Sequence, residues 1–267
     1  MNLFVFYRIS DKGNPKEKLP NCDKFSCLKN AVNVFGAENF HVIADNCEPA
    51  TIDFIKSFSA KGLTLEETSL GNSGSFMYMA DKIIKTLNKD DFVYLLEDDY
   101  IHKPDSKKII LEGLQIADYV TLYDHPDKYR LDTNGGNHFN HKKLQRTRLY
   151  LTESTHWREC NSSTMTFACK VQTLIDNHKI WKKYTKGSVP RDNLAFYEIS
   201  QCSLKDMFSF LFRFNKRIFL ILFRNQFRRG KIKKIISALP ACSTHAETKF
   251  ISPVVDWKTF SETGSAL

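Results

Sequence analysis

Three consecutive acidic residues, Glu97, Asp98 and Asp99, are the strongest chemical signal in the sequence. They follow an apolar run, 92–96, that is too short for a core helix and is typical of a strand buried on both faces in a parallel sheet. Ligands of open α/β sheets bind outside the carboxyl ends of the strands, and adjacent carboxylates repel one another unless a cation is present. A solvated acidic turn or a helix N-cap is the alternative, although a cap needs only one acid. The pattern predicts a hard divalent metal, held by Asp99 with help from Glu97.

Two further polar residues are predicted to end strands that point at the same crevice. A first strand over 2–7 ends at Arg8, and a second strand over 40–44 delivers Asp45. Arg8 could pair with a phosphate through two N–H groups, and Asp45 could accept from the edge of a base. Taken singly, a surface charge for Arg8 and a turn residue for Asp45 are the better interpretations. The convergence of three strand ends favours a ligand site.

The turn 71–75 contains two glycines and is predicted to open a helix that continues to Leu87. Asn72 or Ser73 is expected to cap this helix by accepting from its free N–H groups. The turn could also present backbone donors and small hydroxyls to a ribose or a phosphate. It matches neither the P-loop nor the Rossmann glycine fingerprint, so both interpretations stay open.

Asp192 and His245 are the candidates for chemistry in the second half of the chain. Asp192 precedes an apolar helix, where it is either an N-cap or a general base facing an acceptor hydroxyl. His245 is either an ordinary loop histidine or a group that reaches the metal or a diphosphate through a neutral ring nitrogen.

Strands alternate with helices three times in the first hundred residues, which is typical of βαβ units and a parallel sheet. Predicted helices cover 22–35, 51–58, 106–117 and 171–181, and further strands are expected near 63–65 and over 118–123. Residues 146–152 and 163–168 are predicted to be antiparallel strands joined by 153–158, after a polar loop over 125–145. We expect an α/β fold in one domain spanning 1–267.

The net charge of +9 belongs to one segment. Residues 204–236 contain ten of the 39 Lys and Arg but one of the 30 acidic residues, which leaves 29 of each sign elsewhere. Confinement to one segment argues against a nucleic-acid groove, which needs basic residues along a face. Within this segment 207–234 is predicted to be a basic amphipathic helix. It could be a core helix with one solvated face, a helix lying on an anionic membrane surface, or an oligomer contact.

Neither a targeting segment nor a membrane-spanning run is apparent in the sequence, and the seven cysteines include no Cys-x-x-Cys pair. This cysteine usage argues against a disulfide framework and a structural zinc site. We therefore expect a cytoplasmic protein, with peripheral attachment to the inner face of the membrane as an open alternative.

The order of these features resembles the GT-A glycosyltransferases, which use nucleotide sugars. The nearest likeness is to the N-acetylglucosaminyltransferase that begins N-glycan branching and to family-2-like bacterial enzymes. In the former an Arg ends the first strand and a Glu-Asp-Asp triplet ends a buried strand, as Arg8 and 97–99 do here. The likeness covers 2–100 and, more loosely, 163–245; the basic segment is not part of it.

The resemblance implies a Rossmann-like GT-A fold and metal-dependent, inverting transfer of a sugar to a hydroxyl of a glycan or lipid-linked acceptor. UDP would be the favoured nucleotide and Mn²⁺ or Mg²⁺ the metal, held by Asp99 and His245, with Asp192 as the base. The residues implied to contact the nucleotide sugar are Tyr7, Arg8, Asp45, Asn72, Ser73, Ser75, Glu97 and Asp98.

The resemblance also divides the single domain. Residues 1–124 would bind the nucleotide sugar and 125–202 the acceptor, 203–236 would be the added basic helix, and 237–267 would close the site.

Two alternatives to a glycosyltransferase remain. A nucleotidyltransferase would need a Lys or Arg near the turn 71–75, which has none, and a non-catalytic basic module would bind a membrane or nucleic acid.

Overall fold

The computed structural model describes residues 2–13, 16–129, 147–200, 207–208, 216–227 and 232–263. Most of the predicted loop 125–145 and parts of the predicted helix 207–234 lie outside the described residues. The strands are β1 (Leu3–Ser10), β2 (Phe40–Asp45), β3 (Thr64–Thr68), β4 (Phe92–Glu97), β5 (Tyr100–His102), β6 (Tyr119–Thr121), β7 (Leu149–Leu151), β8 (His156–Cys160), β9 (Phe167–Lys170), β10 (Ile235–Leu239) and β11 (Ser243–His245). The helices are α1 (Lys24–Phe35), α2 (Pro49–Lys56), α3 (Gly71–Thr86), α4 (Ser106–Leu114), α5 (Val171–Tyr184), α6 (Asp192–Ile199), α7 (Lys216–Asn225) and α8 (Trp257–Thr263).

One nine-stranded sheet runs through the molecule in the order β3-β2-β1-β4-β9-β6-β10-β8-β7. Strands β3, β2, β1 and β4 are parallel neighbours, as are β6 and β10, while β9 runs antiparallel between β4 and β6. Helices flank the sheet. The predicted fold class, an α/β protein with a mostly parallel, Rossmann-like sheet, is confirmed.

The strand that leads into the acidic triplet is buried on both faces, as predicted. Val93 and Leu95 pack with Phe76 of α3 and Trp181 of α5, and Tyr94 packs on the other face of the sheet. Side chains of a strand alternate between the two faces, so a strand covered on both sides is apolar throughout.

The prediction for 146–168 is wrong in its pairing. Residues 156–160, expected to lie mostly in a connection, form β8, which pairs antiparallel with both β7 and β10. The strand expected at 163–168 is β9, over Phe167–Lys170, and it lies beside β4 and β6 instead. Short strands show only a weak alternation of apolar and polar residues, so the local sequence did not indicate which strands pair. Contacts with distant strands determine these partners.

A second, two-stranded sheet was not predicted. Strand β5, directly after the acidic triplet, pairs antiparallel with β11 so that Tyr100 lies opposite His245. This pairing carries the C-terminal part of the chain to the acidic residues. Within the described residues no helix is long and apolar enough to cross a membrane.

Candidate active site

A cavity of about 350 Å³ opens at the carboxyl ends of β1, β2 and β4. In the sheet register Arg8 lies opposite Glu97 and Ser10 lies opposite Asp45, so the predicted strand-end residues meet at one edge. The residues that line the cavity are Arg8, Ile9, Ser10, Lys12, Gly13, Lys16, Asp45, Asn46, Gly71, Asn72, Ser75, Glu97, Asp98, Asp99 and His245.

Arg8 is a buried guanidinium that joins two strands to α3. Its Nη2 lies 2.8 Å from Glu97 Oε1, and its Nη1 donates to the carbonyl and side-chain oxygens of Asn72 at 2.7 and 2.9 Å and to Ser75 Oγ at 3.3 Å. Burial raises the pKa of Glu97, Arg8 partly offsets this, and the charge of Asp99 raises it further. Arg8 lies inside β1 and holds Glu97 and Asn72 in place; its contact with a phosphate stays a prediction.

Asp45 caps α3 from a different strand. Its Oδ1 accepts from Leu70 N at 2.6 Å and from Thr68 at 2.9 Å, and its Oδ2 accepts from Gly71 N at 3.0 Å and from Asn46 at 2.8 Å. Burial works against the ionised carboxylate, but these hydrogen bonds outweigh it and lower the pKa of Asp45. Contact between Asp45 and a nucleotide base stays a prediction, because four protein donors already use its oxygens.

The predicted capping of α3 by Asn72 or Ser73 is therefore wrong. The helix begins at Gly71, whose φ of 72° lies in the left-handed region that favours glycine, and its N-cap, Leu70, has no capping side chain. A carboxylate fixed at the end of β2 supplies the acceptor that a local side chain was expected to provide.

Two predicted contacts of the nucleotide sugar lie outside the cavity. Tyr7 alternates with Arg8 along β1, so its side chain packs in the core on the opposite face, against the Phe40 ring. Ser73 is buried and turns away from Ser75 because residues two apart on a helix point in nearly opposite directions. Neither residue lines the cavity, so the geometry gives no support to their predicted contacts with a nucleotide sugar, which stay predictions.

The pKa values of Asp98 and Asp99 are shifted in opposite directions. Burial and the charge of Asp99 raise the pKa of Asp98 to about 6, against the hydrogen bond that Ser10 N donates at 3.0 Å. Burial also opposes ionisation of Asp99, but the hydrogen bond from His245 and the charges of Lys18 and Lys16 outweigh it and lower its pKa. Asp99 is therefore the more acidic member of the pair.

His245 donates to Asp99. Its Nδ1 accepts from Glu247 N at 3.1 Å, which leaves the proton on Nε2, 3.1 Å from Asp99 Oδ2. In this tautomer Nε2 is a hydrogen-bond donor and has no lone pair for a metal. The role predicted for His245 as a metal ligand would require the other tautomer, whereas contact with a diphosphate oxygen fits the arrangement.

Asp99 has one oxygen free for a cation. Its Oδ1 is buried without a hydrogen-bond partner, a condition that a bound ion would relieve. Among the described residues no group of three His, Cys, Asp or Glu side chains is arranged to enclose a metal. Mg²⁺ and similar ions commonly take one or two carboxylates and complete their coordination with substrate phosphates and water. Asp99 fits such a site, while Glu97 is held by Arg8.

Asp192 lies in a second cavity of about 250 Å³, at the start of α6. His125, Lys128, Thr164 and Ile218 are among the residues that line it. Burial raises the pKa of Asp192 to about 6, the hydrogen bond from Asn193 N at 2.6 Å opposes the shift, and the charge of Glu97 adds to it. The carboxylate is thus within electrostatic range of the first cavity.

Two lysines of the first cavity were missed by sequence reasoning. Lys12 and Lys16 follow β1, and both line the cavity. Lys12 Nζ lies 3.3 Å from Asn46 Oδ1, and Lys16 Nζ lies 2.8 Å from Glu247 Oε2. The signal was available, because three lysines (12, 16 and 18) occur in a run of seven residues that follows a predicted strand end.

Comparison with known proteins assigns no family. No protein-family model matches the sequence, and no curated protein does. Among solved structures, TarS 1–349 of S. aureus has 15% identity and a TM-score of 0.43, with 74% of this chain and 54% of that chain covered. The galactosyltransferase LgtC, in complex with donor and acceptor sugar analogues, has 10% identity and a TM-score of 0.40, with 72% and 68% covered.

CMP:2-keto-3-deoxy-manno-octonic acid synthetase, complexed with CTP, has 10% identity and a TM-score of 0.42, with 89% of each chain covered. The present chain spans about half the length of the TarS fragment. Similarity at this level carries no functional assignment, so function is argued from the side chains.

Proposed function

We propose that this chain is a metal-dependent, inverting glycosyltransferase of the GT-A type. It would move a sugar from a nucleotide diphosphate sugar, with UDP favoured, to a hydroxyl of a glycan or lipid-linked acceptor. One observation carries the proposal: a cavity contains an ionised carboxylate with a free oxygen, Asp99, and a second cavity within electrostatic range of it contains a carboxylate of raised pKa, Asp192.

The first cavity suits a nucleotide diphosphate. Lys12 and Lys16 at its wall and the Nε2–H of His245 are cationic or donating groups that a diphosphate would accept from. Mn²⁺ or Mg²⁺ held by Asp99 would offset the charge that develops on the leaving diphosphate. Asn72 and Ser75, held by Arg8, remain the candidates for contact with the ribose or phosphates.

Asp192 suits the role of general base. An inverting transfer is one displacement: the acceptor oxygen bonds to the anomeric carbon, its proton passes to a carboxylate, and the bond to the diphosphate breaks. A base with a pKa of about 6 is ionised at neutral pH and still basic enough to take a proton. Base catalysis of this kind typically contributes about 10²–10⁴-fold to the rate.

Nucleotidyl transfer to a sugar phosphate is the second candidate. The turn 71–75 has no phosphate-gripping lysine, but Lys12 and Lys16 come to the same cavity from the β1 loop and could serve that purpose. The separate cavity around Asp192 favours glycosyl transfer, because a nucleotidyltransferase needs no base for an acceptor hydroxyl.

Thermal shift with a panel of nucleoside diphosphates, with and without Mn²⁺, tests donor binding. We expect stabilisation that requires both UDP and the metal, and no response to any nucleotide would overturn the proposal. Release of UDP from UDP-sugars is then compared with release of pyrophosphate from UTP or CTP plus a sugar 1-phosphate. Pyrophosphate as the product would favour the second candidate.

A further inference from the structure

Helix α7 presents apolar side chains on two opposite faces. Ile218, Ile221, Leu222 and Asn225 are buried against the helical side of the core, where α7 packs on α6. Leu220 and Phe223 lie on the opposite face of α7, 50% and 44% exposed, and Phe227, two residues after the helix ends, is 75% exposed. An ordinary surface helix has polar residues there, so packing on the core does not explain these side chains.

The exposed rings are linked through Phe219, a half-buried ring that also packs against the core. Phe208 lies 5.9 Å from Phe219, Phe219 lies 6.0 Å from Phe223, and Phe223 lies 5.3 Å from Phe227, measured between ring centroids. Four of the eleven large hydrophobic side chains exposed among the described residues fall between positions 208 and 227. We call Phe208, Leu220, Phe223 and Phe227 the aromatic patch.

Basic side chains border the aromatic patch. Lys216, Arg217 and Arg224 are exposed on α7, and they belong to the segment 204–236 that carries the whole net charge of the chain. Exposed aromatic rings with adjacent Lys and Arg match the two attractions of an anionic bilayer surface, which are insertion of apolar groups at the headgroup level and attraction to lipid charge. A protein partner would have to supply both an apolar groove and a matching acidic rim.

Helix α7 also contributes to the cavity of Asp192. Ile218, on the buried face of α7, lines that cavity together with Asn193 of α6. A surface attached through the opposite face of α7 would therefore lie one helix away from the proposed base.

We propose that α7 docks the protein in the plane of an anionic lipid surface through the aromatic patch and its basic border. The acceptor would then be lipid-linked. That the acceptor is lipid-linked rests on the proposed function, whereas the docking of α7 does not. Arg217 and Arg224 contact lipid headgroups, and Phe223 and Phe227 enter the interface between headgroups and acyl chains.

Co-sedimentation of the purified 267-residue chain with vesicles tests the proposal. One vesicle preparation contains equal parts of phosphatidylglycerol and phosphatidylcholine, and the other contains phosphatidylcholine alone. Binding is expected only to the anionic vesicles. An electrostatic contribution of this kind is worth about fivefold for each basic residue, so the double change Arg217→Gln with Arg224→Gln should weaken binding about 25-fold.

A second variant, Phe223→Ser with Phe227→Ser, separates insertion from charge. It should weaken binding at least about tenfold while keeping the thermal midpoint and the far-ultraviolet circular dichroism, because both rings are exposed in the folded chain. Leu149→Ser with Leu151→Ser is the matched apolar control, since both leucines are exposed on β7. Lys179→Gln with Lys182→Gln on α5 is the matched charge control. Neither control should alter binding.

Three outcomes would overturn the docking proposal. One is equal binding to both kinds of vesicle or to neither. Another is a concentration-dependent dimer, seen by analytical ultracentrifugation, that the Phe223 and Phe227 changes abolish while vesicle binding persists. The last is equal loss of binding in a control pair. Failure to bind vesicles would leave the response to UDP and Mn²⁺ intact, so the two proposals fail separately.

Discussion

The hydrogen bond between His245 and Asp99 is the contact on which the proposed chemistry depends most closely. It orients Asp99 Oδ2 and leaves Oδ1 buried without a partner. Because Glu247 N donates to His245 Nδ1, the two residues play different parts: Asp99 offers an oxygen and His245 offers a proton.

Asp99→Asn and His245→Gln should therefore have different effects on metal dependence. Asp99→Asn removes the anionic ligand and should abolish the extra thermal stabilisation that Mn²⁺ gives in the presence of UDP. His245→Gln keeps a donor and should retain that metal response while weakening the binding of UDP. Equal loss of the metal response in both variants would show that His245 ligates the ion.

The pH dependence of turnover should report Asp192. Its pKa of about 6 lies above the ordinary value of an aspartate, and the base works only when ionised, so kcat/KM should fall about tenfold per pH unit below about pH 6. Asp192→Asn should lower turnover by about 10²–10⁴-fold and remove this acid limb, with UDP binding unchanged. An acid limb that persists in the variant would assign it to another group, such as Asp98.

At the scale of elements, the cap that Asp45 provides for α3 links the geometry of the first cavity to the stability of the fold. Asp45→Ala leaves the N–H groups of Leu70 and Gly71 without their acceptor and should lower the free energy of unfolding by about 1–3 kcal/mol near neutral pH. The pKa of Asp45 is lowered in the folded chain, so its stabilisation is present above the unfolded-state value of 3.8 and is lost as the pH falls through the folded value. Urea unfolding of the unsubstituted protein and of Asp45→Ala should thus show a smaller difference in the free energy of unfolding at acid pH than at neutral pH. A constant difference would contradict the charge-based account.

The contact of α4 with β8 leaves no room at Gly113. A Cβ added there would lie 2.8 Å from Cη2 of Trp157, a fully buried ring whose Nε1 donates to Thr152 Oγ1 at 2.9 Å. Gly113→Ala should destabilise the protein by about 1–3 kcal/mol, although alanine is the better helix former. Gly187→Ala, whose nearest contact would be 3.8 Å away, is the control for chemical denaturation. Equal midpoints for the two variants would show that Trp157 moves aside.

At the scale of the whole molecule, the sheet interleaves the two halves of the chain. Strand β9 of the second half lies between β4 and β6 of the first half, and β10 lies beside β6. The predicted halves 1–124 and 125–202 therefore share one sheet.

Unfolding should accordingly be one transition. All three tryptophans lie after residue 124, at 157, 181 and 257, so their fluorescence reports the part of the chain that follows the first half, whereas far-ultraviolet circular dichroism reports the whole chain. Urea titrations followed by the two probes should give coincident curves. Two separated midpoints would mean that the first half unfolds independently.

Local pattern was sufficient for much of this molecule. The apolar run before Glu97 was enough to predict a strand buried on both faces, and the alternation of strands and helices was enough to predict a parallel sheet. The carboxyl ends of parallel strands lie at one edge, so Arg8, Asp45 and the acidic triplet could be placed together without a structure. These inferences succeed because periodicity is set by near neighbours in the chain.

Other features depend on contacts between distant residues, which periodicity does not encode. The cap of α3 comes from Asp45, in a strand that ends 26 residues before Gly71. His245 reaches Asp99 because β11 pairs with β5. Tyr7 points into the core because the face of β1 that carries its side chain is covered by other core residues. The local pattern of the sequence is the same whether or not such contacts form. Only the packed sheet therefore shows that Asp99 has an unpartnered oxygen, that His245 donates a proton and that α7 turns an aromatic face outward.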